Sequence, residues 1–140
     1  MKAPIPSLWF EKEVEEAANF YVSLLPNSRI ERVWTLPIDS PSGPAGSVKV
    51  VEFTLGGQPW QAMEAGPLDP FNHAVSFTVE CADQKEIDRL WDAILKNNGR
   101  EEQCGWIRDR WGLCWQIVPA NMGALMGTAH REGGARSAAA

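Results

Sequence analysis

Apolar positions along the chain switch between two periods. From Glu11 to Leu25 they recur at helical spacing, with Val14, Ala17, Ala18, Tyr21, Val22 and Leu25 on one stripe. Glu11, Glu13, Glu15 and Glu16 load the start of that segment, where the helix dipole favours acids, and Pro26-Asn27-Ser28 ends it. The helical period returns after Asp83 in Ile87, Leu90, Trp91, Ile94 and Leu95. Asp83 and Glu86 have capping-box spacing, and Asn97-Asn98-Gly99 supplies the stop. Elsewhere the period is two or the runs are short, which predicts strands over 5–10, 28–36, 47–55, 59–63, 74–80, 100–104, 106–107 and 113–118. Pro37 to Gly46 reads as a loop, Gly56-Gly57 as a tight turn, and Gly66 to Asn72 as a linker.

The order is β-α-β-β-β, then β-α-β-β-β. One helix for every four strands is too sparse for a doubly wound fold, so the pattern predicts an α+β fold with both helices on one sheet face. The stretch Cys104 to Pro119, CGWIRDRWGLCWQIVP, predicts a hairpin turning at Asp109-Arg110-Trp111-Gly112. Asp at the first turn position can accept from the turn backbone, and Gly suits the exit. Its Gly112-x-x-Trp115-Gln116 echoes Gly57-x-x-Trp60-Gln61, which suggests two related halves. Alternation places Val75, Phe77, Val79, Trp115 and Ile117 towards a helix. It places Gln61, Met63, Ala74, Ser76, Thr78, Cys114 and Gln116 on the other face, as the lining of a cup.

At 140 residues the chain is one domain's worth, expected to span 1–126 with modules at about 4–65 and 73–119. Residues 119–126 read as a helical turn or two. Gly127 to Ala140 reads as a disordered tail, in which His130 has no role. A net charge of −5 speaks against nucleic acid or an anionic membrane as partner. No stretch reaches transmembrane length, and the N-terminus lacks a signal-peptide core. Cys81, Cys104 and Cys114 are odd in number and lack CxxC spacing, so they read as reduced thiols of a cytoplasmic protein. The chain has no P-loop, no Gly-rich strand-to-helix turn, no Gly-x-Ser-x-Gly and no His-Glu-x-x-His.

Three segments carry a family resemblance: EEAANFYVSLLPNSRI at 15–30, NHAVSFTVECADQKEIDRLW at 72–91, and the hairpin itself. With the paired βαβββ pattern they resemble the vicinal oxygen chelate (glyoxalase/bleomycin-resistance) superfamily over about residues 4–125. More specifically they resemble its PhnB-like branch, often labelled 3-demethylubiquinone-9 3-methyltransferase-like. The resemblance implies a cupped sheet around a cavity for a small-molecule ligand, a homodimer and, in many members, a divalent metal held by the first and last strands of each module. Carried over, those ligand positions fall near Pro4 to Pro6, on Gln61 with Glu64 three residues on, on Ala74 with His73 one residue off, and on Gln116. Amides ligate more weakly than carboxylates, so the expectation is no metal; the missing Gly-rich loop and parallel βαβ unit speak against S-adenosylmethionine, and no cofactor is expected.

The candidate ligand-binding residues are Gln61, Glu64, His73, Ser76, Trp106, Cys114 and Gln116. Gln61 and Gln116 read either as hydrogen-bonding groups for an organic molecule or as partners for each other. His73 reads either as a cavity base or as a linker histidine at a strand start. Glu64 would need burial to act as a base, and Cys114 would need a neighbouring cation to be reactive, for which the sequence offers only Arg108 and Arg110 in the turn. Trp106 and Trp111 are the tryptophans best placed to wall a cavity or a dimer contact. Two functional classes follow: a binding protein with a degraded metal site, and a metal-dependent isomerase, lyase or dioxygenase. A structural dimer with a vestigial cavity is a third.

Overall fold

The computed structural model describes residues 1–66 and 69–120. The chain divides into two compact units, Met1–Asp69 and Pro70–Ala140. The first runs β1 (Ser7–Phe10), α1 (Val14–Leu24), β2 (Arg29–Thr35), β3 (Lys49–Leu55) and β4 (Gln58–Glu64). The second runs β5 (Ser76–Cys81), α2 (Gln84–Lys96), β6 (Arg100–Glu101), β7 (Trp106–Arg108) and β8 (Cys114–Pro119). The sheets have matching orders, β1-β4-β3-β2 and β5-β8-β7-β6. In each, the first and last strands pair in parallel and the other pairs are antiparallel. This is the α+β fold of two βαβββ modules that the pattern of apolar positions predicts.

Helix α1 forms because Val14, Ala17, Ala18, Tyr21 and Leu24 fall on one face, and all five are buried. Pro26 pushes Leu25 out of the helix into an extended conformation, so Leu24 takes the last core place and Leu25 is left half-buried. Phe10 of β1 meets Tyr21 at a ring separation of 6.5 Å, which identifies the sheet face that α1 covers. Val51, Phe53, Trp60 and Ala62 share that face and are buried. On the opposite face Val48, Val50 and Ala65 form a second apolar cluster with Trp9, Trp34, Leu36 and Met63.

Helix α2 starts as its sequence predicts: Asp83 Oδ1 accepts from the Glu86 amide at 2.9 Å. Ile87, Leu90 and Ile94 make its buried face, against Ile107, Trp115 and Ile117. It stops where Asn98 turns left-handed at φ 66° and the Gly99 amide reaches back to the Ile94 carbonyl at 2.9 Å. Val75 departs from its expected place under the helix. Strand β5 starts two residues later than expected, at Ser76, so Val75 falls in the lead-in and is 60% exposed. Pro119 belongs to β8 instead of starting a helical turn; residues from 121 on, His130 included, lie outside the described residues.

Cys81 is fully buried at the end of β5. Burial pushes its thiol up to about 11, and the charge of Glu86 adds to the shift. The folded state therefore holds this proton more tightly than the unfolded chain. The resulting stability is present below the ordinary thiol value of 9.0 and is lost as pH rises towards about 11. The urea midpoint is expected to fall across that window in the native protein and to fall less in Cys81→Ala. Equal slopes in the two proteins would assign the loss to other groups.

Candidate functional site

Gln61 lies on the face of the first sheet opposite α1, because its neighbours Trp60 and Ala62 point to the helix. Its Nε2 donates to Ser7 Oγ at 3.0 Å, across the parallel β1–β4 pair in which the two residues are in register. Glu52, on the other side of Gln61, accepts from the Trp34 indole and from Arg32, each at 2.7 Å. Those two bonds, Arg32 first, hold the Glu52 carboxyl below the usual carboxylate range. Glu64 is on the helix side of β4. Its Oε1 accepts from the Val14 amide at 3.1 Å and caps α1, whose own N-cap residue, Glu13, makes no side-chain cap bond.

The second sheet repeats the arrangement. Trp115 is buried on the helix side, at a ring separation of 5.7 Å from Phe77, and Gln116 faces the other way. Gln116 Nε2 donates to Ser76 Oγ at 2.9 Å. Trp106 stands directly opposite Gln116 in the β7–β8 ladder, so indole, amide and hydroxyl share one face. The Trp-Gln echo thus marks the same device in both modules. Each glutamine donates one hydrogen bond to a serine of its own module.

Next to this second pair lies a polar cluster. Cys114 is in register with Ser76 on one side and Arg108 on the other, and its side chain is wholly buried. His73, in the lead-in to β5, is positioned by Asn72, whose Oδ1 accepts from the Ala74 amide at 2.8 Å. Glu102 follows β6 and is pinned by its amide to the Trp106 carbonyl at 3.0 Å. His73 Nε2 lies 2.6 Å from Glu102 Oε1, and Arg108 Nη2 lies 3.1 Å from His73 Nδ1. A carboxylate only accepts, so Nε2 is the donor of the first contact, while the guanidinium nitrogen, also 3.2 Å from Nε2, lies over the ring. The bond from His73 comes first among the causes that hold the Glu102 carboxyl below its ordinary value. The charges of His73, Arg108 and Arg100 add to it, and burial opposes them.

His73, Ser76, Trp106, Cys114 and Gln116 are therefore brought together on one face of the second sheet, while Gln61 serves the first unit and Glu64 a helix end. Glu102 was not among the sequence candidates, and Arg108 entered only as a cation in the turn near Cys114. Counting back across the Asp109–Gly112 turn pairs Arg108 with Cys114 in the β7–β8 ladder. No sequence period points to Glu102.

Neither group that relatives suggest is matched at its usual place. For a chelated metal, the inherited positions offer Pro4 to Pro6, Ala74 and two amides already bonded to serines. For S-adenosylmethionine, the β1–α1 turn carries Glu11, Lys12 and Glu13, and a carboxylate already occupies the first helical amide. Among the described residues no helix is long and apolar enough to cross a membrane.

The family model for 3-demethylubiquinone-9 3-methyltransferase matches residues 2–118. Among solved structures the chain resembles the PhnB protein from Bacillus cereus, at 27% identity and a TM-score of 0.67 over 83% of this chain and 98% of that one. The fold alone is shared with a glyoxylase/bleomycin resistance protein/dioxygenase domain from Frankia, at 13% identity and a TM-score of 0.56, over 85% of this chain and 97% of that one. It is shared also with the fosfomycin resistance protein FosX from Mesorhizobium loti, at 11% identity and 0.62, over 93% and 98%. No curated protein matches the chain. With its paired βαβββ modules and a family match that runs almost from end to end of the described residues, the chain belongs to the 3-demethylubiquinone-9 3-methyltransferase family, the PhnB-like branch of the glyoxalase/bleomycin-resistance superfamily.

Proposed function

We propose that this protein binds a small organic molecule through its paired amide and hydroxyl groups, and not through a metal at the inherited positions. One observation carries this reading: Gln61–Ser7 and Gln116–Ser76 recur at corresponding strands, each beside apolar side chains. An amide bonded to a serine through one N–H keeps its carbonyl oxygen and second N–H for a ligand. Trp106 beside Gln116 offers a flat apolar surface next to that polar spot. The matching ligand has a planar apolar body and a carbonyl, carboxylate or hydroxyl at its edge. We further infer a homodimer, as the family pattern suggests, in the cytoplasm, where three free thiols persist.

A screen of aromatic ketones and carboxylates, read by tryptophan fluorescence, tests the reading. Hits are expected to lose about tenfold or more in affinity in Gln116→Leu, since each tenfold is about 1.4 kcal/mol, one good hydrogen bond. Thermal stability of the variant should hold within a few degrees. Light scattering on the same sample should give twice the 15.5 kDa chain mass. Hits indifferent to both Gln61→Leu and Gln116→Leu would remove the reading. A second reading, a metal-dependent isomerase, lyase or dioxygenase, is favoured by His73, whose imidazole is oriented by a carboxylate as a proton-transferring base requires.

A further inference from the structure

Three donor atoms of different chemistry converge in the second unit. An imidazole nitrogen of His73, a carboxylate oxygen of Glu102 and the sulfur of Cys114 all lie within 4.8 Å of one another. They come from three separate segments: the lead-in to β5, the turn after β6 and the start of β8. None is at a position the superfamily uses for its metal. His73 is one residue before that place on β5, and Cys114 is two residues before it on β8. We propose that His73, Glu102 and Cys114 form a site for a borderline divalent cation of the zinc class, with Arg108 as the internal cation that fills the donor set when the metal is absent.

The donor types set the metal class. A thiolate with an imidazole and one carboxylate suits zinc or cobalt, whereas calcium and magnesium require sets made of oxygen. Three protein ligands leave a fourth position open, as in zinc sites that admit water or substrate. The cluster also has an outer layer. Asn72 fixes the lead-in that carries His73, and the amide of Glu102 is tied to Trp106.

Arg108 shows how the set behaves without metal. Its terminal nitrogen lies 3.1 Å from Nδ1 and 3.2 Å from Nε2 of His73; near-equal distances to both nitrogens place it over the ring, because in the ring plane it would collide with Cε1. A ring nitrogen accepts through an in-plane lone pair, so neither approach is a well-made hydrogen bond. The Nε of Arg108 is buried and has no partner; the nearest carboxylate contact, to Glu102 Oε2, is 3.9 Å and outside hydrogen-bond reach. A buried donor left unmade disfavours this arrangement. The guanidinium therefore balances Glu102 in charge while fitting its donors poorly. A metal that displaces it releases that donor to a new acceptor.

The test uses the full chain, freed of metal by chelator dialysis and titrated with Co2+ and then with Zn2+ in competition. One equivalent of cobalt is expected, with a thiolate-to-cobalt charge-transfer band that zinc abolishes. Cys114→Ser should lose the band, and His73→Ala and Glu102→Gln should weaken binding about 10- to 100-fold. Cys104→Ser, at an exposed thiol, should leave it unchanged. Arg108→Gln should tighten binding about tenfold or more, because it removes the competing cation. Circular dichroism checks that each variant is folded. If Cys114→Ser does not fold, Glu102→Gln and Arg108→Gln, with opposite expected signs, still decide. Binding without the band, a band that survives Cys114→Ser, no binding at all, or weaker binding in Arg108→Gln would each overturn the proposal. Gln116→Leu leaves all three donors in place, so failure of the organic-ligand reading and failure of this one are read separately.

Discussion

Asp109→Ala is expected to destabilise the second unit by about 3 kcal/mol or more, one of the largest single-residue effects in the chain. Asp109 is only 4% exposed. Its Oδ1 accepts from the amides of Trp111 and Leu113 and its Oδ2 from the Trp115 indole, each at 3.0 Å. Its own amide and carbonyl bond Leu113 and Gly112, so one residue closes the turn and ties it to the core. Removing the carboxylate strands three donors, two of them buried. Each costs about 1–3 kcal/mol when left unmade, and the sum is less than additive. Asp109→Asn keeps the shape but points an NH2 either at the indole N–H or at the two amides. It should fall between the native protein and the alanine variant. Urea unfolding followed by tryptophan fluorescence reads the series. A cost under about 1 kcal/mol for Asp109→Ala would show that water replaces the carboxylate.

That turn also shows how far the sequence reaches. A turn beginning at Asp109 is legible because Asp and Gly at those positions have local chemical reasons to be there. The bond from Trp115 to Asp109 is not, since it depends on a side chain crossing the hairpin. The same division holds at the candidate site. Gln61 and Gln116 are placed by the strand period, which is local. Glu102 sits in Arg100-Glu101-Glu102, a run that reads as solvated charge, and it meets a histidine 29 residues away only once β6 has paired with β7. Glu64 shows the converse. A carboxylate near a strand end reads as a candidate base, yet the parity of β4 turns it to α1, where it takes the amide that Glu13 leaves uncapped. Val75 misses its expected place because the period gives the face of a strand and not its first residue.

Gly99→Ala is expected to cost about 3 kcal/mol and to damage the candidate metal site from a distance. Gly99 joins α2 to β6, and a Cβ there would lie 2.6 Å from both the Cγ2 and the carbonyl oxygen of Ile94 and 2.8 Å from the Arg108 carbonyl oxygen. A side chain could rotate away; two backbone oxygens cannot move without shifting α2 or β7. The route of least resistance moves β6, which is only two residues long and pairs Arg100 with Arg108 and Glu101 with Ile107. Glu102 follows directly and would leave His73. Asn98→Ala is the comparison, because it changes the neighbouring residue without that collision. Asn98 is left-handed at φ 66°, where a β-carbon without a helpful polar group costs about 1–2 kcal/mol. Both variants should therefore lower the urea midpoint, Gly99→Ala further. Gly99→Ala should also weaken cobalt binding, and Asn98→Ala should not. Equal effects of the two on cobalt binding would mean that general loosening, and not displacement of β6, separates Glu102 from His73.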